Sequence, residues 1–406
     1  MQRRAAITGV AACSSLGQTA AFLDAILEGR SGIRSVTTFD VSARRSRQAA
    51  ELTDFDPVAF VHPMKLRRMD EVGALSVATA HLALESAGLS GIAEGHDDVG
   101  VVLGTCTCGV HSTGEFLNRL LELGPTGAPA MLFSNTVGNA AASHVALEEK
   151  LRGPNTTVSY KEASGVAAIA LATDLIRAGK AGAFVTGGAE DIYDLYFEVH
   201  DWFGVLSRDG MFPEGARPFD RTRNGFAMGE GGFVAILEEH DRAEARQAPL
   251  LAEVIGVGAT SGLTALNAWP TDPAPLARCM RAALDEGGID PARVGAVYAA
   301  ANGSVDFDRL ESHAIAEVFN GRAVRTTSVK GALGEGGMTG AGSLVAAVLA
   351  GRRGVVAPTA GLSDPDPSCA ALGWVMGAPQ PLESPYVLVN SFASGGTNYC
   401  LLVKIH

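Results

Sequence analysis

The sequence predicts an α/β protein made of two halves that contain similar elements in a similar order. The first indication is composition: 47% of the 406 residues are hydrophobic and 49 are glycine, which suits buried strands and tight turns and argues against disorder. The second is that short apolar runs alternate with helical patterns. This alternation occurs twice along the chain, although no repeat is visible in the residues themselves. We therefore expect an N-terminal half over 1–250 and a C-terminal half over 251–406.

Charge and residue usage exclude several classes of protein. The net charge of −12 argues against a nucleic-acid partner. No apolar run reaches the ~18 residues of a membrane span. The six cysteines are scattered, and Cys106 and Cys108 are too close together for an ordinary redox or zinc pair, so we expect a reduced, cytoplasmic protein. The nine histidines show no metal-ligand spacing, and no metal is expected.

In the first half, apolar runs predict strands, and apolar residues at helical spacing predict helices. The helix over 70–87 has the clearest periodicity, and the strand over 99–104 is apolar throughout. Strands are predicted at 5–10, 99–104, 156–160, 183–190, 231–237 and 250–260. Helices are predicted at 20–27, 70–87, 113–122, 139–147 and 166–178.

The second half repeats the same kinds of segment. Helices are predicted at 275–286, 314–319 and 343–350, the last of them small-residue and preceded by a glycine-rich turn. Strands are predicted at 294–299, 387–390 and 400–403. The two small-residue helices, one in each half, suit close packing at the centre of the molecule.

The stretch 158–165 joins a predicted strand to a small-residue helix. A sharp turn of this kind lifts a side chain to the helix N-terminus, where backbone N–H groups point outward. Many folds place a nucleophile at such an elbow. Here the elbow offers Lys161 and Glu162 and no cysteine.

Longer motifs resemble the β-ketoacyl synthase (ketosynthase) family. Residues 216–220 read Ala-Arg-Pro-Phe-Asp, and residues 223–231 read Arg-Asn-Gly-Phe-Ala-Met-Gly-Glu-Gly. Together they are similar to a long family signature, and further matches follow in family order at 7–10, 187–190, 358–360, 390–392 and 395–398. The resemblance spans essentially the whole chain. It implies the thiolase fold, with two fused halves layered α-β-α-β-α, and a dimer.

The resemblance also implies a chemistry for which this chain lacks the groups. In the family an elbow Cys takes the acyl chain from an acyl carrier protein, and two His stabilise the enolate formed by decarboxylation of malonyl-carrier. The elbow Cys position is Glu162. Counting back without a gap from Asp308 and Glu311 places Ala300 at the first His, and Glu335 occupies the second His position after Lys330.

These replacements make condensation by this chain alone improbable. A carboxylate is a weak nucleophile, and Ala300 donates no hydrogen bond. Glu335 would place negative charge beside a developing anion; at ~4 Å and an effective dielectric of about 20 the repulsion is on the order of 4 kcal/mol, or ~1000-fold in rate. The pattern is similar to that of chain length factors, which pair with a Cys-containing ketosynthase. The implied partners are that ketosynthase and the acyl carrier protein, whose phosphopantetheine carries the substrates. No cofactor is expected.

Within this resemblance, one segment is predicted to line the channel that limits chain length. The segment 106–116 falls where the family places such interface residues, and we expect Val110, His111, Ser112 and Phe116 to form the wall or floor. Phe133 and Asn139 are weaker candidates. Phe116 as an ordinary core residue is an equal alternative. His111 as a metal ligand with Cys106 and Cys108 is disfavoured by the spacing.

Scaffold roles are predicted for the charged residues near the degenerate site. Glu162 would close the elbow, favoured there by the helix N-terminus, and would pair with Lys161 or Lys330. Lys330 would form an ion pair with Glu311 or Glu335. Asp308 and Glu311 would hold the backbone, while Tyr160 and Lys161 would fill space needed by an acyl chain.

Two further functions remain open at this stage. One is a malonyl-carrier decarboxylase that supplies starter units, but this activity needs the two His that are missing. The other is a homodimeric scaffold that binds acyl chains. The sequence leaves the identity of the product and of the partner open.

Overall fold

The computed structural model describes residues 3–91 and 94–406. Its strands in the first half are β1 (Ala5–Ser14), β2 (Gly17–Gln18), β3 (Arg34–Ser35), β4 (Gln48–Ala50), β5 (Val99–Gly104), β6 (Asn155–Val158), β7 (Ala183–Glu190), β8 (Met228–Gly229) and β9 (Gly231–Glu239). Those of the second half are β10 (Ala252–Ser261), β11 (Val294–Tyr298), β12 (Arg325–Thr327), β13 (Val355–Val356), β14 (Gly373–Trp374), β15 (Gln380–Pro381), β16 (Tyr386–Phe392) and β17 (Thr397–Ile405).

Helices alternate with the strands along the chain. In the first half they are α1 (Thr19–Leu27), α2 (Pro63–Leu66), α3 (Glu71–Ser86), α4 (Val110–Leu123), α5 (Ala130–Phe133), α6 (Ala140–Glu148), α7 (Ser164–Arg177), α8 (Asp194–Phe203) and α9 (His240–Ala245). In the second half they are α10 (Ala274–Gly287), α11 (Val305–Val318), α12 (Lys330–Leu333) and α13 (Thr339–Arg352). Short 3₁₀ turns occur at Pro57–Ala59, Lys161–Ala163 and Pro291–Arg293.

The same strand order occurs in both halves. The first half has the order β6-β5-β7-β9-β1, and the second has β12-β11-β16-β17-β10. In each series the first three strands are mutually parallel, and the fourth is antiparallel to both of its neighbours. The two series meet where β1 pairs with β10 over Ala5–Ile7. The predicted duplication is therefore confirmed at the level of topology.

Helices cover the sheets in three layers. On the outer side of the first half, α3 packs on β1 and β9, with α6 beside it; on the outer side of the second half, α10 packs on β10 and β17, with α11 beside it. Between the two sheet halves, α7 and α13 pack on each other. This gives the α-β-α-β-α arrangement of the thiolase fold and confirms the predicted fold class.

The apolar core has one large cluster for each of the three helix layers. The central cluster holds the small-residue helices, whose backbones approach closely: a Cβ on Gly165 would lie 3.0 Å from the Ala341 Cβ. Representative members of the three clusters are, for the centre, Ile7, Val166, Leu344 and Val389, for the first outer layer, Val77, Leu84 and Ile236, and for the second, Met280, Val297 and Ile315. The central layer fixes where the elbow before α7 lies.

Most predicted elements exist, and the misses have physical causes. The helix predicted at 314–319 begins much earlier, at Val305. Its first turns carry Asp308 and Glu311, which are buried through hydrogen bonds and so break the apolar periodicity. Helix α8 was not predicted, although its apolar residues favour one face of a helix. Over the described residues, no helix is long and apolar enough to cross a membrane.

Candidate functional site

The elbow predicted at 158–165 is present, with a short 3₁₀ turn between strand and helix. Strand β6 ends at Val158, the turn spans Lys161–Ala163 and α7 begins at Ser164. Lys161 has a φ of 50°, a left-handed conformation that is uncommon for a residue with a side chain. Ser164 Oγ holds the turn, accepting from the Tyr160 N–H at 2.9 Å and donating to the Lys161 carbonyl at 2.6 Å.

The Glu162 carboxylate is only half satisfied. Its Oε1 accepts a hydrogen bond from Ser394 Oγ at 3.1 Å, and its backbone carbonyl accepts one from Ser391 Oγ at 3.1 Å. Its Oε2 is buried and has no hydrogen-bond partner among the described residues. An unpaired buried carboxylate oxygen costs free energy. The hydrogen bond from Ser394 satisfies only the other oxygen of the Glu162 carboxylate.

The predicted pairing of Glu162 with a lysine is wrong. Lys161 Nζ instead donates to Asn267 Oδ1 and lies 3.4 Å from Ser394 Oγ. Lys330 is committed to another carboxylate. Tyr160 is 44% exposed in this chain, and its ring stacks on Tyr399; its predicted role in filling acyl-chain space stays a prediction.

Glu335 forms a buried ion pair. Its Oε2 accepts from Lys330 Nζ at 2.7 Å and from Asn302 Nδ2 at 2.7 Å. Burial raises the pKa of Glu335, the Lys330 charge lowers it, and the charge of Glu162 raises it again. The charge of Glu162 therefore acts on Glu335 directly, so the two carboxylates share one electrostatic environment.

Ala300 lies beside the carboxylates that hold its loop. The Ala300 N–H donates to Glu311 Oε1 at 2.9 Å, and Asn390 Nδ2 donates to the same oxygen at 2.9 Å. Burial raises the pKa of Glu311 to about 7, and these hydrogen bonds oppose the shift. The backbone of this loop is therefore held without any contribution from a side chain at position 300.

Asp308 continues the same scaffold. Its carboxylate accepts from the N–H groups of Phe219, Asn302 and Gly303. Burial raises the pKa of Asp308 to about 6, and the same hydrogen bonds and the nearby Arg223 oppose the shift. The motif at 216–231 thus contributes to the site by holding the loop after β11.

A buried acid missed by the sequence analysis lies close to the elbow. Glu190 ends β7, and its carboxylate accepts from the N–H of Cys106 at 2.5 Å and from that of Thr107 at 2.9 Å. Burial raises the pKa of Glu190 to about 7. Burial also raises the pKa of the Cys106 thiol well above its ordinary value, so this neighbouring cysteine does not replace the absent elbow nucleophile.

The predicted channel residues fall on α4 and α5 but do not all face one space. Ser112 is buried. The Phe116 ring lies 5.8 Å from the Phe133 ring, and Phe133 is 62% exposed. His111 makes different contacts: its ring stacks on Tyr193 at 4.4 Å, and its Nδ1 lies 3.5 Å from Asp191 Oδ2.

The other two candidates in this segment occupy peripheral positions. Val110 is the first residue of α4 and is half-buried, and Asn139 is exposed immediately before α6. Among the described side chains, neither pairs with the Phe116 ring, which packs against Phe133. The pair formed by Phe116 and Phe133 is therefore the part of the predicted channel segment that the side-chain contacts define best.

Helices α4 and α5 present a concentrated apolar surface. Its exposed members are Leu117, Leu121 and Leu123 on α4, Met131 and Phe133 on α5, and Val137 in the segment between α5 and α6. Strand β6, which precedes the elbow, lies at the edge of the main sheet. An edge strand has backbone N–H and C=O groups on its outer side that the sheet does not pair. Large exposed apolar patches commonly mark protein–protein contacts, and we call this set the α4–α5 surface.

Two groups of residues could in principle hold a metal ion among those the structure describes. Glu71, His111 and Asp191 bring ligand atoms within 4.8 Å of one another, as do His240, Asp241 and Glu244. The second group lies within five consecutive residues, and two of its members are exposed. The first group joins three elements that are distant in sequence, which is why no spacing signal reveals it.

The side chains at and around the elbow can support few kinds of reaction. Glu162 provides a carboxylate acceptor, Ala300 provides no side-chain donor, and Glu335 is engaged with Lys330 and Asn302. The three positions differ from a thiolate with two neutral donors, the arrangement that thioester chemistry with an enolate intermediate requires. What the site retains is a defined shape.

Comparison with known proteins places this geometry in context. The chain matches the β-ketoacyl synthase N-terminal domain over residues 2–243 and the β-ketoacyl synthase C-terminal domain over residues 251–363. These two matches cover most of its length.

Individual relatives match over nearly the whole chain. The 3-oxoacyl-[acyl-carrier-protein] synthase 2 of Coxiella burnetii is 31% identical, covering 99% of each chain. The tetracenomycin polyketide synthase ketoacyl synthase alpha subunit of Streptomyces glaucescens is 34% identical, covering 91% of this chain and 89% of the relative. A solved structure of the ishigamide ketosynthase/chain length factor superposes with a TM-score of 0.93 at 30% identity, covering all of both chains.

Proposed function

The chain belongs to the β-ketoacyl synthase family, and from this premise we propose that it is a chain length factor. It pairs with a Cys-containing ketosynthase, and the heterodimer elongates polyketide or fatty-acyl chains by decarboxylative condensation. This chain contributes shape: it completes the buried acyl channel and limits the length of its contents. The growing chain is carried on the phosphopantetheine of an acyl carrier protein in the cytoplasm.

The state of the elbow carries this proposal. Glu162 occupies the place of the nucleophile with one oxygen unpaired, and Glu335 is neutralised by a buried lysine. Removing a single catalytic group would be compatible with an impaired enzyme. Replacing all three, while Asp308 and Glu311 still hold the loop around Ala300, supports a subunit retained for its structure.

The α4–α5 surface supports a partner of the same fold. Leu121 is 82% exposed and Phe133 is 62% exposed, and burying such side chains contributes roughly 1.5–3 kcal/mol each. The surface adjoins Phe116, so a subunit that covered it would place its own acyl channel against the ring pair of Phe116 and Phe133. The match to a structure named as a ketosynthase/chain length factor agrees with this arrangement.

Co-expression tests the proposal directly. The full chain is produced with a Cys-containing ketosynthase from the same organism, and an affinity tag is placed on the ketosynthase alone. We expect a 1:1 complex by native mass spectrometry. We also expect consumption of malonyl-carrier with chain extension by the complex and none by this chain alone.

Surface variants make the test specific. Leu121→Asp should weaken the complex at least ~10-fold, because a charge would be buried in an apolar contact. Met64→Asp is the matched control, since Met64 is 70% exposed on α2, outside the α4–α5 surface, and should leave the complex intact. Separate homodimers after co-expression would contradict the proposal. Rapid formation of acetyl-carrier by this chain alone would instead identify a decarboxylase.

A further inference from the structure

A second group of chemically active side chains lies away from the elbow residues. Glu71 is the first residue of α3, His111 is the second residue of α4, and Asp191 directly follows β7. Their ligand atoms lie within 4.8 Å of one another. The proposed channel function gives no task to this group, and its geometry stands independently of that function.

Asp191 is the member that points to a ligand. Its side chain is 2% exposed, yet neither carboxylate oxygen has a hydrogen-bond partner among the described residues. Its only described charge partner is His111, whose Nδ1 lies 3.5 Å from Asp191 Oδ2. A buried carboxylate without hydrogen bonds is expensive, and a bound cation would satisfy both of its oxygens.

The surroundings increase the demand for positive charge. Asp70 and Glu230 interact electrostatically with Asp191, and Glu71 does so as well. No lysine or arginine forms an ion pair with Asp191, Glu71 or Glu230 in the described part of the chain. The site therefore holds an excess of acidic groups around two imidazoles, those of His111 and of His144, which interacts with Asp70.

One of the three ligand separations is close to that expected around a small divalent ion. With bonds of about 2.0–2.1 Å to nitrogen and oxygen, two ligands of a tetrahedral site lie about 3.3 Å apart. The separation of 3.5 Å between His111 Nδ1 and Asp191 Oδ2 is near this value. The Tyr193 ring, stacked on His111 at 4.4 Å, fixes the imidazole plane. Glu71 is exposed and leaves one side open to solvent.

We propose that Glu71, His111 and Asp191 form a binding site for a divalent transition-metal ion of the zinc class, with solvent completing its coordination. One imidazole with two carboxylates is a ligand set suited to Zn²⁺ or Co²⁺, whereas Mg²⁺ and Ca²⁺ favour oxygen ligands alone. A bound ion would connect the starts of α3 and α4 to the end of β7.

Cobalt provides the test, because its visible spectrum reports the ligands. Tag-free full-length protein is treated with EDTA, dialysed and titrated with Co²⁺. We expect one equivalent of visible absorption from a four- or five-coordinate site, without the near-ultraviolet band of cobalt bound to thiolate, and displacement by Zn²⁺. Asp191→Asn and His111→Gln should each weaken binding at least ~100-fold, beyond the ~10–100-fold that loss of an outer-shell partner costs.

Controls separate this site from the other candidates. Glu244→Gln alters the second group and Cys108→Ser removes a nearby thiol, and both should bind Co²⁺ as the wild type does. Circular dichroism shows whether each variant is folded, and Zn²⁺ should raise the Tm of the wild type but not of Asp191→Asn. Unchanged binding by folded Asp191→Asn and His111→Gln variants, or no binding by the wild type, would overturn the proposal.

Discussion

Lys330 Nζ lies 2.7 Å from Glu335 Oε2, and both side chains are almost completely buried, at 1% and 4% exposure. Each charge is thus compensated chiefly by the other in a region with little access to water. Such a pair contributes little net stability, but removing one member leaves an uncompensated charge.

Lys330→Met should therefore lower the free energy of unfolding by about 3–5 kcal/mol at pH 7. The double variant Lys330→Met with Glu335→Gln should recover most of this loss, because the glutamine can still accept from Asn302 and no charge remains. Urea denaturation of the three proteins measures both effects. A loss below ~1 kcal/mol in the single variant would show that water or a partner group compensates Glu335.

Glu162→Cys should restore a reactive thiol without restoring condensation. A cysteine at the N-terminal end of α7 should have a lowered pKa, whereas burial raises the pKa of Cys108 to about 12 and raises that of Cys106 well above its ordinary value. Mass spectrometry after brief iodoacetamide treatment should show one additional fast-reacting site.

The same variant should form no condensation product from acyl- and malonyl-carrier. Ala300 and the Glu335 pair still provide no donors to an enolate. Glu162→Ser is the control, because serine is close to cysteine in size but has no thiol. Condensation by the single cysteine variant would refute the assignment of the other two positions.

The pH dependence of stability should reveal the buried Glu311. Its pKa is about 7 in the folded protein, raised by burial, against ~4.3 in an unfolded chain. The folded state therefore binds its proton more tightly. The contribution of Glu311 is fully present below pH ~4.3 and is lost as pH rises through about 7, at up to ~1.4 kcal/mol per pH unit.

Glu311→Gln removes this titration while keeping an oxygen for the Ala300 N–H. Urea denaturation between pH 5 and pH 8 should show a stability that falls less steeply with pH in the variant than in the wild type. Because other buried acids such as Glu190 titrate in both proteins, the difference between the two slopes isolates Glu311. Equal slopes would mean that Glu311 is already ionised throughout this range.

Phe116→Ala should lengthen the products of the proposed heterodimer. The Phe116 ring is half-buried and contacts Phe133, and its removal would deepen the end of the channel. Liquid chromatography with mass spectrometry should show chains longer by one or more two-carbon units. Met64→Ala, at an exposed position on α2 outside the α4–α5 surface, is the control. An intact complex with unchanged product length would exclude Phe116 from the channel.

The sequence predicted the architecture well because its strands are apolar and its central helices consist of small residues. It also related Ala300 to Asp308 and Glu311 by position, and the Ala300 N–H donates to Glu311 Oε1 at 2.9 Å. Side-chain direction was harder to predict. Lys161 was expected to reach Glu162, yet a left-handed backbone turns it toward Asn267.

Contacts among distant segments were outside the reach of sequence patterns. His111 lies 40 residues after Glu71 and 80 before Asp191 in the numbering of the chain, and no periodicity relates three residues so far apart. Only the packing of α3, α4 and the end of β7 brings them together. The polar first turns of α11 escaped prediction for a related reason, since their burial depends on hydrogen bonds to other loops.

The hydrogen bond from the Ala300 backbone to Glu311 has an evolutionary and practical consequence. Every residue except proline has an amide N–H, so this bond does not depend on which other side chain occupies position 300. A mutation there can abolish chemistry without disturbing the loop that presents it. Loss of an activity and loss of the fold are thus separable events in this architecture, and the vacant position is a natural place to install a new functional group.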